Sequence, residues 1–147
     1  MTRPVTLSQY VQQRNGVPLG ASHSLRNMLS RAFGARSFPV FWHYWNPIWG
    51  YYLSRFVMRP LRNVLPLPAA ILITFFVSGA MHDVVVSLVH GRQVIFFTPW
   101  FGVMGAVVIG SHRFALGYGH YAWLTRASIN LVMIIVTLAF TDWMLSL

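Results

Sequence analysis

Residues 65–92 read LPLPAAILITFFVSGAMHDVVVSLVHGR, and this apolar run decides the class of the fold. It lies between a Pro-Leu-Pro turn signal and a His-Gly-Arg boundary, which predicts one helix over residues 68–89. A helix of about 20 apolar residues is long enough to cross the hydrocarbon core of a bilayer. Residues 94–110 and 128–145 are two further apolar stretches. We therefore predict an all-α integral membrane protein with three transmembrane helices.

The composition supports a membrane protein. Hydrophobic residues make up 56% of the 147 residues and charged residues only 9%, whereas soluble domains carry about 25% charged residues. All eleven basic residues are arginines, Asp83 and Asp142 are the only acids, and the net charge is +9. The arginines stand singly between apolar segments, which favours membrane orientation and anionic lipid head groups over nucleic acid as their partner. Because cysteine is absent, disulfides, thiolate–metal sites and a cysteine nucleophile are excluded.

The N-terminal segment, residues 1–37, is polar and basic and contains no acid. Two interpretations fit this composition: a mitochondrial transit peptide, or a cytoplasmic segment that lies on anionic lipid, which we favour. Within it, residues 24–33 have the pattern of an interfacial amphipathic helix, with one apolar stripe formed by Leu25, Met28, Leu29 and Phe33. Arginines concentrate before the first span and in the second loop, so the positive-inside rule predicts a cytoplasmic N-terminus.

Residues 38–61 form an aromatic block that is too polar to be a typical transmembrane helix. Trp and Tyr side chains concentrate at membrane interfaces, where the apolar ring contacts lipid and its polar group contacts water. We predict an interfacial or re-entrant helix here, with Pro47 favouring a break or a helix start. Its predicted face is formed by side chains three and four positions apart, namely Trp42, Trp45, Trp49 and Tyr52.

The second predicted span, residues 94–110, is near the minimum length for crossing a bilayer. Pro99 and three glycines, Gly102, Gly105 and Gly110, predict that this helix is kinked and closely packed.

The first span carries polar residues within apolar sequence. Thr74, Ser78 and His82 are four residues apart and predict a polar stripe on one helix face. An ionisable residue inside a membrane span is by default a candidate functional site. Gly79 would let a neighbouring helix or a substrate approach the backbone. Asp83 points about 100° away from His82, so we predict that it pairs with an arginine of another segment or faces a polar cavity. The structural alternative is that His82 and Ser78 only join helices.

Two motifs together resemble the signature region of the membrane-bound O-acyltransferases. The first is SFPVFWHYWNPIWGYYLSRFVMRPLR at residues 37–62, and the second is FFVSGAMHD at residues 75–83. In that family an F-W-x-x-W-(Asn/His) segment leads into an amphipathic stretch ending in Pro-Leu, and a later hydrophobic helix carries the invariant histidine. Asn46 corresponds to the polar position of the first motif, which is an asparagine in the lipid- and sterol-acylating branch. His82 corresponds to the invariant histidine.

The resemblance implies transfer of an acyl group from acyl-coenzyme A, a co-substrate, to a hydroxyl group of a lipid, sterol or other alcohol. His82 would act as general base, and the Asn46 carboxamide would polarise the thioester carbonyl. No tightly bound cofactor and no metal site are predicted. The side chains that we predict to bind substrate are Trp42, Trp45, Ser78, Arg55 and Arg59, although plain positive-inside topology also explains the two arginines.

The resemblance covers about a third of the chain, and family members have about three times as many spans. The chain is therefore expected to be a C-terminal catalytic portion with a missing N-terminal half, or a small relative that encloses its site as a homo-oligomer. The alternative function is that of a small non-catalytic membrane protein or assembly partner. A bis-histidine haem on His82 with His90, or on His112 with His120, is a weak alternative, since the second pair lies in a glycine-containing loop.

Overall fold

Proline and glycine residues divide the chain into short N-terminal helices and three long C-terminal ones. The structure, a computed structural model, describes residues 3–147, which contain α-helices but no β-strand. The helices are α1 (Leu7–Asn15), α2 (Ser24–Phe33), α3 (Phe38–Tyr44), α4 (Pro47–Leu53), α5 (Arg59–Arg62), α6 (Leu67–His90), α7 (Phe97–Arg113) and α8 (Trp123–Leu145), with a π-helical turn at Ser54–Met58 between α4 and α5. The all-helical class is confirmed; residues 1 and 2 of the predicted N-terminal segment lie outside the described residues.

Helix α6, Leu67–His90, extends one residue beyond the predicted range of 68–89 at each end. Pro66 is its N-cap, and Gly91 ends it in the left-handed conformation with φ of 66°, which a glycine adopts without a steric penalty. By length and composition, α6 and α8 are both apolar enough to cross a membrane. Only 22% of the apolar stretch of α6 and 17% of that of α8 are buried, whereas the core helix of a soluble protein is mostly buried. Two candidate spans are therefore present.

Helix α7 differs from the predicted second span. It has 17 residues and starts at Phe97 rather than at residue 94. Pro99 lies in the first turn, where no intrahelical hydrogen bond is required from its nitrogen, so the expected cause of a kink in the helix interior is absent. Close packing through glycine is confirmed at two of the three positions, because a Cβ on Gly102 would lie 2.3 Å from the Phe76 ring and one on Gly105 would lie 3.0 Å from Phe75.

The aromatic block does not form one continuous helix. It is broken at Asn46, which adopts φ of 42°, and Pro47 starts α4, so the alternative of a helix start at Pro47 is confirmed. Asparagine is one of the few non-glycine residues that tolerate this left-handed conformation. The prediction that Tyr52 shares one face with the tryptophans is wrong, since the Tyr52 ring is exposed and stacks on Phe56 with ring centroids 6.2 Å apart.

The core lies where α3 crosses α7. Its buried members are Ala32, Ala35, Phe38, Phe41, Phe101, Met104 and Val108. Asn130, on α8, is fully buried and donates from Nδ2 to the carbonyl oxygens of Phe33 (2.8 Å) and Ala35 (3.1 Å). These bonds join α8 to the end of α2, which forms the predicted helix over residues 24–33. The N-terminal helices are thereby held against the long helices, and a partly open cavity lies between them.

Candidate functional site

A cavity of about 460 Å³ lies between α1, α3, α4, α6 and α7. Such a volume falls within the range of about 300–1,000 Å³ that is usual for small-molecule sites. Five of the seven side chains predicted from the sequence line it, although they come from segments about 30 residues apart: Trp42, Trp45, Asn46, Ser78 and His82. Thr74 also lines the cavity, so the predicted polar stripe of α6 faces a single space.

His82 is half-buried in an aromatic setting. Its ring centroid lies 4.9 Å from that of Phe101, 5.7 Å from that of Phe97 and 6.5 Å from that of Trp49. Its Nδ1 lies 2.7 Å from the carbonyl oxygen of Ser78. Because a carbonyl oxygen only accepts, Nδ1 carries a proton, and the tautomer that this bond selects has its lone pair on Nε2.

The oxygen and the nitrogen of the Asn46 carboxamide have different roles. Its Oδ1 accepts from the backbone N–H of Trp49 at 3.2 Å and thereby caps the start of α4. Its own backbone N–H contacts the Met28 sulfur at 3.3 Å. With Oδ1 engaged, the Nδ2 amino group is the part of the side chain that remains for a ligand. Asn46 can therefore donate a hydrogen bond into the cavity while its oxygen fixes the local fold.

Ser78 and Trp49 connect the two sides of the cavity. The indole N–H of Trp49 donates to the Ser78 hydroxyl at 3.0 Å, and Ser78 is 5% exposed. This bond holds α4 against α6 at the level of His82. The Trp42 indole nitrogen is also buried, but it has no partner among the described residues.

The structure does not bring Arg55 and Arg59 to the cavity. The Arg55 guanidinium donates to the Tyr51 hydroxyl at 2.7 Å and lies 5.7 Å from the centroid of the Phe56 ring. Arg59 is exposed at the first position of α5. Their predicted contact with acyl-coenzyme A remains a prediction, now without support from the shape of the cavity.

Asp83 does not pair with an arginine, which was one of its two predicted roles, although it lines a second cavity. Instead of pairing with an arginine, its buried carboxylate accepts from the backbone N–H groups of Phe96 (2.9 Å), Phe97 (2.7 Å) and Thr98 (2.8 Å) and from the Thr98 hydroxyl (2.6 Å). These are the free donors at the start of α7, so Asp83 caps that helix. The backbone of Phe97 and Thr98 approaches closely enough that a Cβ on Gly79 would lie 2.5 Å from the Phe97 carbonyl oxygen. The close approach predicted at Gly79 is confirmed.

Two polar side chains of the cavity were missed in the sequence. Arg14 on α1 bonds through Nη1 to Nδ1 of His43 on α3, and its guanidinium lies 4.6 Å above the centroid of the Tyr10 ring. Burial lowers the pKa of the Arg14 guanidinium, while Tyr10 and Tyr44 act in the opposite direction. Burial also lowers the pKa of His43, and the adjacent Arg14 charge lowers it further. The only indication of this contact in the sequence was that Arg14 lies in a segment without acidic residues.

No group of three or more His, Asp or Glu side chains able to hold a metal ion is present in the described part of the chain. His90, one half of a conceivable haem pair, is exposed at the end of α6. Comparison with family models, with curated proteins and with solved structures finds no match to this chain.

Proposed function

We propose that the chain is a membrane-embedded acyltransferase that moves an acyl group from a thioester such as acyl-coenzyme A to a hydroxyl acceptor. The observation that carries the proposal is that one cavity collects an imidazole with a free Nε2 and a carboxamide with a free Nδ2. These are a proton acceptor and a hydrogen-bond donor, the two groups that this reaction requires. The resemblance of residues 37–62 and 75–83 to the membrane-bound O-acyltransferases assigns the same two residues.

The proposed step balances without any further reactant. Nε2 of His82 takes the proton of the acceptor hydroxyl as its oxygen attacks the thioester carbonyl carbon. Nδ2 of Asn46 donates to the carbonyl oxygen as negative charge develops on it. When the C–S bond breaks, the imidazolium returns the proton to the thiolate, so the products are an ester and a free thiol.

The proposed membrane arrangement has three spans. Besides α6 and α8, α7 would cross as a short span, since 17 residues extend about 26 Å at 1.5 Å per residue. The aromatic helices α3 and α4 would lie at the interface, and the arginine-rich N-terminal segment would be cytoplasmic. The acceptor would be a lipid, a sterol or another alcohol, because a cavity lined by a candidate membrane span is accessible to molecules dissolved in the bilayer. Homo-oligomerisation or a separate N-terminal half would complete the enclosure of the site.

A non-catalytic membrane protein or assembly partner is the second candidate, and one observation favours it. The Trp49–Ser78 bond joins α4 to α6, Asn46 caps α4, and His82 bonds to the Ser78 carbonyl oxygen within α6, so these side chains already use part of their hydrogen-bonding capacity in the fold. In this interpretation the cavity residues only join helices.

The test measures transfer of a radiolabelled acyl group from acyl-coenzyme A to a mixed lipid extract by the purified chain in nanodiscs. His82→Ala is compared with His90→Ala, since His90 makes the same contact with the carbonyl oxygen four residues earlier, at 3.0 Å, but lies outside the cavity. Loss of a general base lowers the rate by about 10²–10⁴-fold. We expect this loss for His82→Ala alone, with both variants folded by circular dichroism.

Asn46→Asp gives a second, independent test. The aspartate keeps an oxygen that caps α4 but replaces the Nδ2 donor with a second acceptor. Loss of an oxyanion donor typically costs about 10²–10³-fold in rate, so we expect a folded protein with a correspondingly slower transfer. Full activity in either Asn46→Asp or His82→Ala would refute the mechanism, and absence of transfer by the folded wild type would favour the non-catalytic function.

A further inference from the structure

The cavity contains a cation for which the chain supplies no counter-charge. Arg14 is half-buried and lines the cavity, whereas neither of the two acidic residues of the chain does. Asp83 is engaged by the start of α7, and Asp142 lies in the last turn of α8. A partly desolvated guanidinium is costly unless an anion accompanies it. Because neither acid of the chain lines the cavity, an anion that accompanies Arg14 would come from outside the chain.

The atoms around Arg14 offer hydrogen-bond donors. Because Nδ1 of His43 accepts from the Arg14 guanidinium, the neutral His43 ring carries its proton on Nε2, which is a further donor. Arg31 donates from Nη1 to the Arg14 carbonyl oxygen at 3.1 Å and holds the end of α1 in place. A guanidinium has five N–H donors in a planar fork that matches phosphate or carboxylate oxygens. The pair of Arg14 and His43 therefore suits an anion.

The remainder of the cavity is largely apolar. Its wall includes Trp42, Ile71, Phe75, Phe101 and Val108. Rings and branched side chains of this kind bind an alkyl chain through burial of apolar surface, which is worth about 0.8 kcal/mol per buried CH₂ group. One cavity thus combines a donor-rich end with an apolar wall.

We propose that this cavity binds a single-chain amphiphile whose phosphate group lies against Arg14 and His43 and whose alkyl chain packs on the aromatic wall. The proposal concerns binding and does not depend on acyl transfer, so either one can fail without the other. Two sources could supply such a molecule: a single-chain anionic lipid of the bilayer or a soluble amphiphile.

Binding is measured in nanodiscs of zwitterionic lipid with two probes, 11-bromoundecyl phosphate and 11-bromoundecanol. Bromine on the chain quenches tryptophan fluorescence, and Trp42, Trp45 and Trp49 line the cavity, so the saturable part of the quenching reports occupancy. Arg14→Gln is compared with Arg26→Gln, which removes one charge from the same basic segment at an exposed position of α2. We expect about tenfold or greater weakening of phosphate binding in Arg14→Gln only, the effect of losing one charge-assisted hydrogen bond, and unchanged binding of the alcohol.

Equal effects of Arg14→Gln and Arg26→Gln on the phosphate probe would overturn the proposal, as would no effect of Arg14→Gln. If Arg14→Gln loses both probes or its helical circular dichroism, His43→Leu replaces it. A folded His43→Leu variant is expected to bind the phosphate about tenfold more weakly, and unchanged binding would overturn the proposal. In wild type, competition by lysophosphatidylglycerol, a single-chain anionic lipid placed in the nanodisc, identifies a bilayer lipid as the source, and its absence identifies a soluble amphiphile.

Discussion

Replacement of Asp83 tests how the site is built. The buried carboxylate is the acceptor for three backbone N–H groups at the start of α7. Asp83→Ala removes this acceptor, and each buried donor left without a partner costs about 1–3 kcal/mol. The simple sum is about 3–9 kcal/mol. Water at the helix end would satisfy some of the donors, so we expect a loss near the lower end, about 3–5 kcal/mol.

Asp83→Asn refines this prediction. One amide oxygen remains for Phe96 and Phe97, but the amide N–H₂ then faces the Thr98 N–H, which is also a donor. We expect a loss of about 1–3 kcal/mol, the cost of one unsatisfied donor. Ser87→Ala is the matched control, since it removes a neighbouring neutral contact in which the Val94 N–H donates to the Ser87 hydroxyl at 2.8 Å. Its expected cost is about 1 kcal/mol.

The assay is unfolding by sodium dodecyl sulfate in mixed micelles, followed by far-ultraviolet circular dichroism. The predicted order of unfolding free energies is wild type, then Ser87→Ala, then Asp83→Asn, then Asp83→Ala as the least stable. An Asp83→Ala variant within about 1 kcal/mol of wild type would refute the capping account, because that is the size of an ordinary single hydrogen bond. Equal losses for Asp83→Asn and Asp83→Ala would show that the charge, and not the number of satisfied donors, determines the effect.

Two further predictions concern packing and ionisation. Gly79→Ala should destabilise the protein by about 1–3 kcal/mol in the same unfolding assay, because its Cβ would lie 2.5 Å from the backbone oxygen of Phe97. Gly110→Ala is the control: its Cβ would have no neighbouring atom within 4 Å, so this substitution should be neutral or slightly stabilising. Burial raises the pKa of Tyr118, whose hydroxyl donates to Asn130, to about 12, so its contribution to stability should be complete below pH of about 10 and lost as the pH rises towards 12. Tyrosinate absorbance should show one late-ionising group in wild type that is missing in Tyr118→Phe, and a titration that is the same in both would contradict this prediction.

The ends of the long helices can be predicted from the sequence because they are determined by the residues at those positions. Pro66 and Gly91 restrict the backbone at the ends of α6 whatever surrounds them. The spacing of Thr74, Ser78 and His82 is likewise a property of one helix, so their common face could be read before any partner was known.

The remaining features depend on contacts between distant segments. Arg14 and His43 are 29 residues apart, and nothing in the local pattern around either residue indicates the other. The partners of Asp83 are backbone N–H groups, which every sequence contains, so composition gives no sign of them. Helix α7 starts three residues later than its hydropathy indicates because Asp83 caps it at Phe97.

The neighbouring residues His82 and Asp83 point to different faces of α6, but both contact the first turn of α7. Asp83 fixes the first turn of α7, and that turn carries Phe97, whose ring stacks against His82 with centroids 5.7 Å apart. Loss of the cap would therefore alter the surroundings of the imidazole as well as the stability of the bundle. A slower reaction in an Asp83 variant would not place Asp83 in the chemistry. Asn46→Asp is a more direct test because it preserves the oxygen that caps α4 and confines the change to the cavity, where a charged acceptor replaces the Nδ2 donor.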